Sequence, residues 1–307
     1  MKLKLAPFFS LLLVLMACGE SPKGDQPSVK EPTVETPVVK ENSPIEQSIS
    51  EKTTPVEQLK TIDLENVYGH YVGDFEAKVF GKGKKPSYAN KINITIEVID
   101  GETATGYSVV AGNARPFSGT VRQVKDHLNF RLKEPGDDRY DGVFDFNIYP
   151  KRNQLVGEWY ANDERLAVTV REFDLRGATF TYNPNDTLTE SLLYEGLYDS
   201  FREGYDGEEG LTQDVLAYNP SITLLKKEDV ENMYQADLEV LRNSIYARHG
   251  YSFKNRRMRY LFDRWVDWYI PMKTNILADL TDLEKQNIEL LKRYEQHAEK
   301  YYDVFGR

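Results

Sequence analysis

Cys18 is the only cysteine in this chain of 307 residues, and its place in the sequence points to covalent chemistry. It directly follows an apolar run over residues 5–17, which itself follows Lys2 and Lys4. A bilayer-spanning helix needs about 20 apolar residues, so the run is too short to cross a membrane stably. Its positive start and its length match a secretory signal. A lone free thiol in an oxidising compartment would be a liability, and a single cysteine forms no disulfide within the chain. The exported part must then fold on core packing alone.

Other residue types offer less chemistry. The four histidines, His70, His127, His249 and His297, are dispersed without metal-ligand spacing, so no metal site is expected. Asp206-Gly207-Glu208-Glu209 lacks the alternating oxygen ligands of a calcium loop and reads as a solvated acidic turn. No serine sits in a nucleophile elbow or beside a paired lysine, and no glycine-rich phosphate loop is present. Two sets of residues do suggest binding. Arg242, Tyr246 and His249 fall at i, i+4 and i+7, which lines them along one helix face, with Arg248 beside them. Lys254, Arg256, Arg257 and Arg259 form a basic cluster suited to an anionic polymer such as a glycan or lipid phosphates. The competing structural reading gives Tyr246 as half-buried, Arg242 as paired with a carboxylate of a neighbouring helix, and the basic cluster as a solvated helix face.

These residues sit in a chain whose character changes along its length. The formal charge is −10, and loss of Lys2 and Lys4 with a signal would take it to about −12. Such an acidic chain excludes nucleic acid as an expected partner. Residues 19–62 contain no aromatic side chain, while Pro22, Pro27, Pro32, Pro37, Pro44 and Pro55 recur amid Lys, Glu, Ser and Thr. A stretch of this kind buries too little apolar surface to offset the entropy of ordering it. Residues 18–62 are therefore expected to be a tether with a mean reach of roughly 35–40 Å.

After Phe9 the next aromatic is Tyr68, and from there aromatics are frequent and a period of two follows. Alternation over 71–79, 92–98, 107–111, 117–121, 128–132, 143–149, 155–161 and 166–170 predicts eight short strands. Asp100-Gly101, Gly112-Asn113, Lys125-Asp126, Pro135-Gly136-Asp137-Asp138, Arg152-Asn153 and Asn162-Asp163 supply the turn chemistry between them. An antiparallel meander over 63–173 is the economical topology, closed as a small barrel or folded as a sandwich. Residues 174–219 are too aromatic for a free linker and predict an ordered connector. Past Pro220 the period becomes helical. One helix carries Leu238, Leu241 and Ile245 and ends before Gly250, a left-handed cap. A second carries Tyr260, Leu261, Phe262 and Trp265. A third opens with the capping box Thr281-Asp282-Leu283-Glu284 and aligns Leu283, Leu290, Leu291, Tyr294, Ala298 and Tyr301 in one stripe.

Two motifs carry resemblances. Leu15-Met16-Ala17-Cys18 resembles the lipobox of bacterial lipoproteins. That resemblance implies removal of residues 1–17 and acylation of Cys18 with diacylglycerol and a further acyl chain, with no other cofactor. Gly19 is not the Asp that retains some lipoproteins at the inner membrane, so the outer membrane is the expected address. The run from Leu241 to Phe253 contains Tyr246-Ala247-Arg248-His249-Gly250 and closely resembles the signature of the YARHG domain. Tyr260-Leu261-Phe262, Trp268-Tyr269 and Leu283-Glu284-Lys285-Gln286-Asn287-Ile288 extend the likeness. It implies a small helical extracytoplasmic module over 220–307 and carries no established activity. Gly69-His70-Tyr71 opens the meander somewhat as lipocalin-type carriers open, without their Gly-x-Trp signature.

The expected fold class is thus α+β, with an antiparallel β-domain followed by an all-α YARHG domain. The expected role is a lipid-anchored binding or adaptor protein that contacts an envelope glycan or another envelope protein and is not an enzyme. The rival is a carrier holding an apolar ligand in the barrel; an enzyme acting on envelope glycans through paired carboxylates ranks third.

Overall fold

The computed structural model describes residues 62–83, 89–194 and 211–301. The expected signal, Cys18, nearly all of the expected tether and the acidic turn at 206–209 lie outside the described residues.

Eight strands form a closed antiparallel barrel in sequence order: β1 (Gly69–Phe80), β2 (Asn90–Asp100), β3 (Thr103–Val110), β4 (Asn113–Val124), β5 (His127–Lys133), β6 (Gly142–Tyr149), β7 (Gln154–Ala161) and β8 (Val168–Ala178). The barrel, not the sandwich, is the fold. Closure comes from β1 pairing with β8, with Tyr71 opposite Gly177 and Glu76 opposite Glu172. β8 runs to Ala178, past the boundary expected at 173, because the alternation of Phe173 and Leu175 with Asp174 and Arg176 continues through it. Two-residue turns join β2 to β3, β3 to β4 and β4 to β5. Lys125 and Asn153 adopt left-handed backbone in the connections that follow β4 and β6.

Inward positions are occupied by large side chains. Phe130, Phe144, Phe146, Leu132, Ile148 and Leu155 are all buried to within 1%. Phe130 and Phe146 stack at 5.1 Å between ring centroids, and Phe75 meets Trp159 edge-on at 5.9 Å. Each such side chain contributes on the order of 1.5–3 kcal/mol by leaving water, and aromatic pairs add roughly 0.5–1.5 kcal/mol more. The curvature leaves no room for a side chain at some positions. A Cβ on Gly106 would fall 1.9 Å from the Thr95 carbonyl oxygen.

Six helices follow among the described residues: α1 (Ser191–Tyr194), α2 (Asp214–Ala217), α3 (Lys227–Val230), α4 (Gln235–Arg248), α5 (Arg256–Trp265) and α6 (Asp282–Tyr301). A second hydrophobic cluster joins them, built on Leu238, Leu241, Leu261, Phe262, Tyr269 and Leu291. The expected capping box forms: the Glu284 amide donates to Thr281 Oγ1 at 3.2 Å, and the Thr281 amide donates to Glu284 Oε2 at 3.0 Å. The stripe expected on α6 needs correction. Tyr301 is 61% exposed, and the buried positions of the helix are Glu284, Asn287, Leu291 and Ala298. Two of these are polar. Asn287 is fully buried because it accepts from the Leu225 amide at 2.9 Å and donates to the Pro220 and Thr223 carbonyls, both at 2.8 Å.

β2 joins the two regions. Its odd positions Lys91, Asn93 and Thr95 point out of the barrel, yet Asn93 and Thr95 are buried. The Lys91 amide donates to Asp263 Oδ2 at 3.0 Å, Lys91 Nζ donates to the Tyr269 carbonyl at 3.1 Å, and Asn93 Nδ2 donates to the Pro271 carbonyl at 3.1 Å. Burial pushes the Asp263 carboxyl up to about 7. The helical region thus docks on the barrel through a satisfied polar stripe.

Candidate functional site

The residues of 242–250 divide by what they touch. α4 ends at Arg248, with His249 as its C-cap. The Tyr251 amide donates to the Tyr246 carbonyl at 3.0 Å and the Gly250 amide to the Ala247 carbonyl at 2.9 Å. This is the Schellman pattern, and the Tyr246 and Tyr251 rings pack edge-on at 6.0 Å beside it. Gly250 has φ +72, and a Cβ there would lie 2.9 Å from Met272 and 3.1 Å from Phe180. Its carbonyl also accepts from the Met272 amide at 2.8 Å. Only glycine satisfies the dihedral and the crowding together.

His249 and Arg248 turn inward. His249 is 4% exposed, its Nε2 lies 2.9 Å from Glu284 Oε2, and its ring stacks on Tyr182 at 4.2 Å. The Tyr182 hydroxyl donates to the other oxygen of Glu284 at 3.0 Å. Burial pushes Glu284 up, but hydrogen bonds from His249, Thr281 and Ser221 outweigh it and hold the carboxyl down at about 2. Arg248 is 3% exposed; its Nε donates to the Asp186 carbonyl at 2.8 Å and its Nη1 to Ser244 Oγ at 2.9 Å. Burial pushes its guanidinium down to about 10. These two side chains fasten the connector and α6 to the end of α4, and both are almost wholly buried at these contacts.

Arg242 shares the α4 face with His249, as their spacing predicts, and that face is an interhelical seam. Arg242 grips Glu295 of α6 with Nε at 2.7 Å and Nη2 at 3.0 Å. This is the neighbouring-helix carboxylate that the structural reading expects. Tyr246 lies at the edge of the seam.

The basic cluster is also dispersed. Arg257 is paired with Glu239, and Arg259 donates to the Lys254 carbonyl and faces the end of the barrel. Lys254 and Arg256 are exposed. Lys254 alone of the four lines the groove that also takes in Arg242, Tyr246, Tyr251, Asn275 and Leu277. This groove has a volume of about 630 Å³. It offers two tyrosine faces, side-chain amides and one unburied ammonium, a set that suits a polar chain with an apolar face. Leu277 at its rim is 68% exposed.

Sequence reasoning misses Tyr182, Glu284 as a histidine partner, Asn287, and the Lys91–Asp263 contact. Glu284 is visible as a capping-box residue, but its second oxygen gives no signal. Tyr182 stands only as one aromatic among several in the connector. No local pattern links residues 91 and 263.

A small closed antiparallel barrel joined to a helical domain with a buried histidine–carboxylate core is the class these observations define. Residues 215–296 match the YARHG domain family, so the C-terminal part of the chain is a YARHG domain. The match starts before the expected boundary at 220 because it takes in α2 (Asp214–Ala217) from its second residue. No curated protein matches the chain.

Proposed function

We propose that the chain is a lipid-anchored, extracytoplasmic binding or adaptor protein of the bacterial envelope and not an enzyme. Acylated Cys18 would hold it at a membrane, the outer one by the character of Gly19, and residues 18–62 would carry the folded part away from that surface. Acyl chains contribute about 0.8 kcal/mol per buried methylene, so two or more give stable anchoring. Among the described residues no helix is long and apolar enough to span a bilayer, so attachment would rest on the lipid.

The observation that carries this reading is the groove beside α4, next to a barrel filled by its own aromatic side chains. A filled interior argues against the carrier of an apolar ligand. The enzyme reading has least support: on the acid-rich face of β7, β8 and β1, Lys78 bridges Glu158 at 2.5 Å and Glu172 at 2.8 Å, which ties these two carboxylates to one ammonium. The ligand we favour is an envelope glycan with anionic groups, its sugar faces against Tyr246 and Tyr251 and its charge near Lys254.

Co-sedimentation of the full chain with purified, insoluble envelope glycan tests this. Binding is expected at low salt, weaker at high salt, and reduced at least tenfold by Tyr246→Ala with Lys254→Ala in a chain that still unfolds cooperatively. Glycan binding that the double substitution leaves unchanged, or no binding at any salt, overturns the proposal.

A further inference from the structure

One end of the barrel holds two guanidinium groups that lack a carboxylate. Arg171, on β8, and Arg259, on α5, both line a cavity of about 380 Å³, a volume at the small end of the range for ligand pockets. Among the described residues neither has a carboxylate within ion-pair distance. Arg171 Nη1 donates to the Phe75 carbonyl at 2.8 Å, and its guanidinium lies 5.0 Å from the centre of the Phe75 ring. Arg259 Nε is buried with no hydrogen-bond partner. Burial first, and then the charge of Arg259, pushes the Arg171 guanidinium down to about 10.

The other charges nearby are already used. Arg115 pairs with Asp141 at 3.0 Å. Glu134, 7% exposed, accepts from the Gly142 amide at 2.7 Å and from Trp159 Nε1 at 3.0 Å, and burial pushes its carboxyl up. Asp263 attracts Arg259, but its Oδ2 is taken by the Lys91 amide. Two like charges brought together at a partly buried site are costly unless an anion joins them. Phe75 and Trp159 supply an apolar wall beside them. Guanidinium groups bind carboxylate and phosphate oxygens through paired N–H donors.

We propose that this barrel-end cavity is a second binding site, distinct from the groove beside α4, for a small organic anion: a phosphate or carboxylate group between Arg171 and Arg259, with a flat apolar body against Phe75 and Trp159. The site does not depend on the glycan reading, and the reverse also holds.

Titration calorimetry of the full chain with phenyl phosphate, benzoate and inorganic phosphate tests it. Phenyl phosphate or benzoate is expected to bind saturably and at least tenfold more tightly than inorganic phosphate, because only the organic anions use the apolar wall. Arg171→Gln and Arg259→Gln should each weaken that binding at least tenfold, while Arg131→Gln, on the barrel's outer surface, leaves it unchanged. Both arginines also bond backbone carbonyls, Arg171 that of Phe75 and Arg259 that of Lys254, so cooperative unfolding is checked for each variant. Arg171→Lys and Arg259→Lys, which keep the charge but lose the paired N–H donors, carry the test if a glutamine variant fails to fold. No saturable binding of either organic anion, affinity unaffected by Arg259→Gln, or inorganic phosphate binding as tightly as phenyl phosphate would overturn the proposal.

Discussion

The barrel and the YARHG region solve the same problem, a chain with one cysteine and no disulfide, by opposite means. The barrel is held by apolar volume: its interior is a continuous cluster from Tyr71 to Leu175. The helical region has an apolar cluster too, but its termini and connector are fastened by buried polar groups, His249 to Glu284, Arg248 to the Asp186 carbonyl, and Asn287 to the 220–225 loop. Volume tolerates some repacking, whereas a buried polar group left without its partner is expensive. A short, distinctive string of polar residues can therefore be a fastening and still look like a site.

Substitutions sharpen this contrast. Phe146→Ala should cost the barrel the most, about 3–5 kcal/mol by the transfer and cavity terms. Denaturant unfolding checks it, and a loss under about 1 kcal/mol would show that the barrel interior collapses freely. Glu284 sets a pH dependence. Its folded carboxyl is depressed to about 2 from an ordinary 4.5, so its contribution is complete above about pH 4.5 and is lost as pH falls toward 2. That contribution is about 3 kcal/mol, and unfolding midpoints between about pH 5 and 2.5 should fall more steeply for the wild type than for Glu284→Gln. Equal slopes would remove Glu284 from the fastening. Gly250→Ala comes next, at about 2 kcal/mol for the left-handed backbone and the crowding against Met272, read from thermal unfolding. The smallest effect belongs to Arg242→Ala. Its pair with Glu295 is partly screened by solvent and contributes about 1 kcal/mol, so a much larger loss would make the seam as important as the fastening.

The same contrast separates what is legible in the sequence from what is not. All eight strands follow from a period of two that each strand carries locally, and their turns from residues such as Asp100-Gly101 and Lys125-Asp126. The choice between barrel and sandwich is not legible, because closure rests on Tyr71 meeting Gly177, a pairing without local signal. The three longer helices, the Gly250 cap and the Thr281–Glu284 box are readable for the same reason of locality, whereas the single-turn helices α1, α2 and α3 carry no period long enough to read. Lys91 and Asn93 mislead in the other direction: polar residues on the outer face of a strand read as solvent-facing, and here they are the docking stripe, with buried Thr95 bonded to Asn93 beside them. The basic run at 254–259 also reads as one feature. The turn of α5 sends Arg257 to Glu239 and Arg259 to the barrel end, leaving Lys254 at the groove.

The claim that the end of the YARHG motif holds the fold together can be tested directly by the thermal unfolding midpoint of His249→Ala in the full chain. Removing one partner of a buried pair costs about 3–5 kcal/mol, which for a domain of this size lowers the midpoint by at least about 6 °C. A midpoint at the wild-type value, with binding to envelope glycan lost instead, would contradict the account and make His249 a ligand-contacting residue.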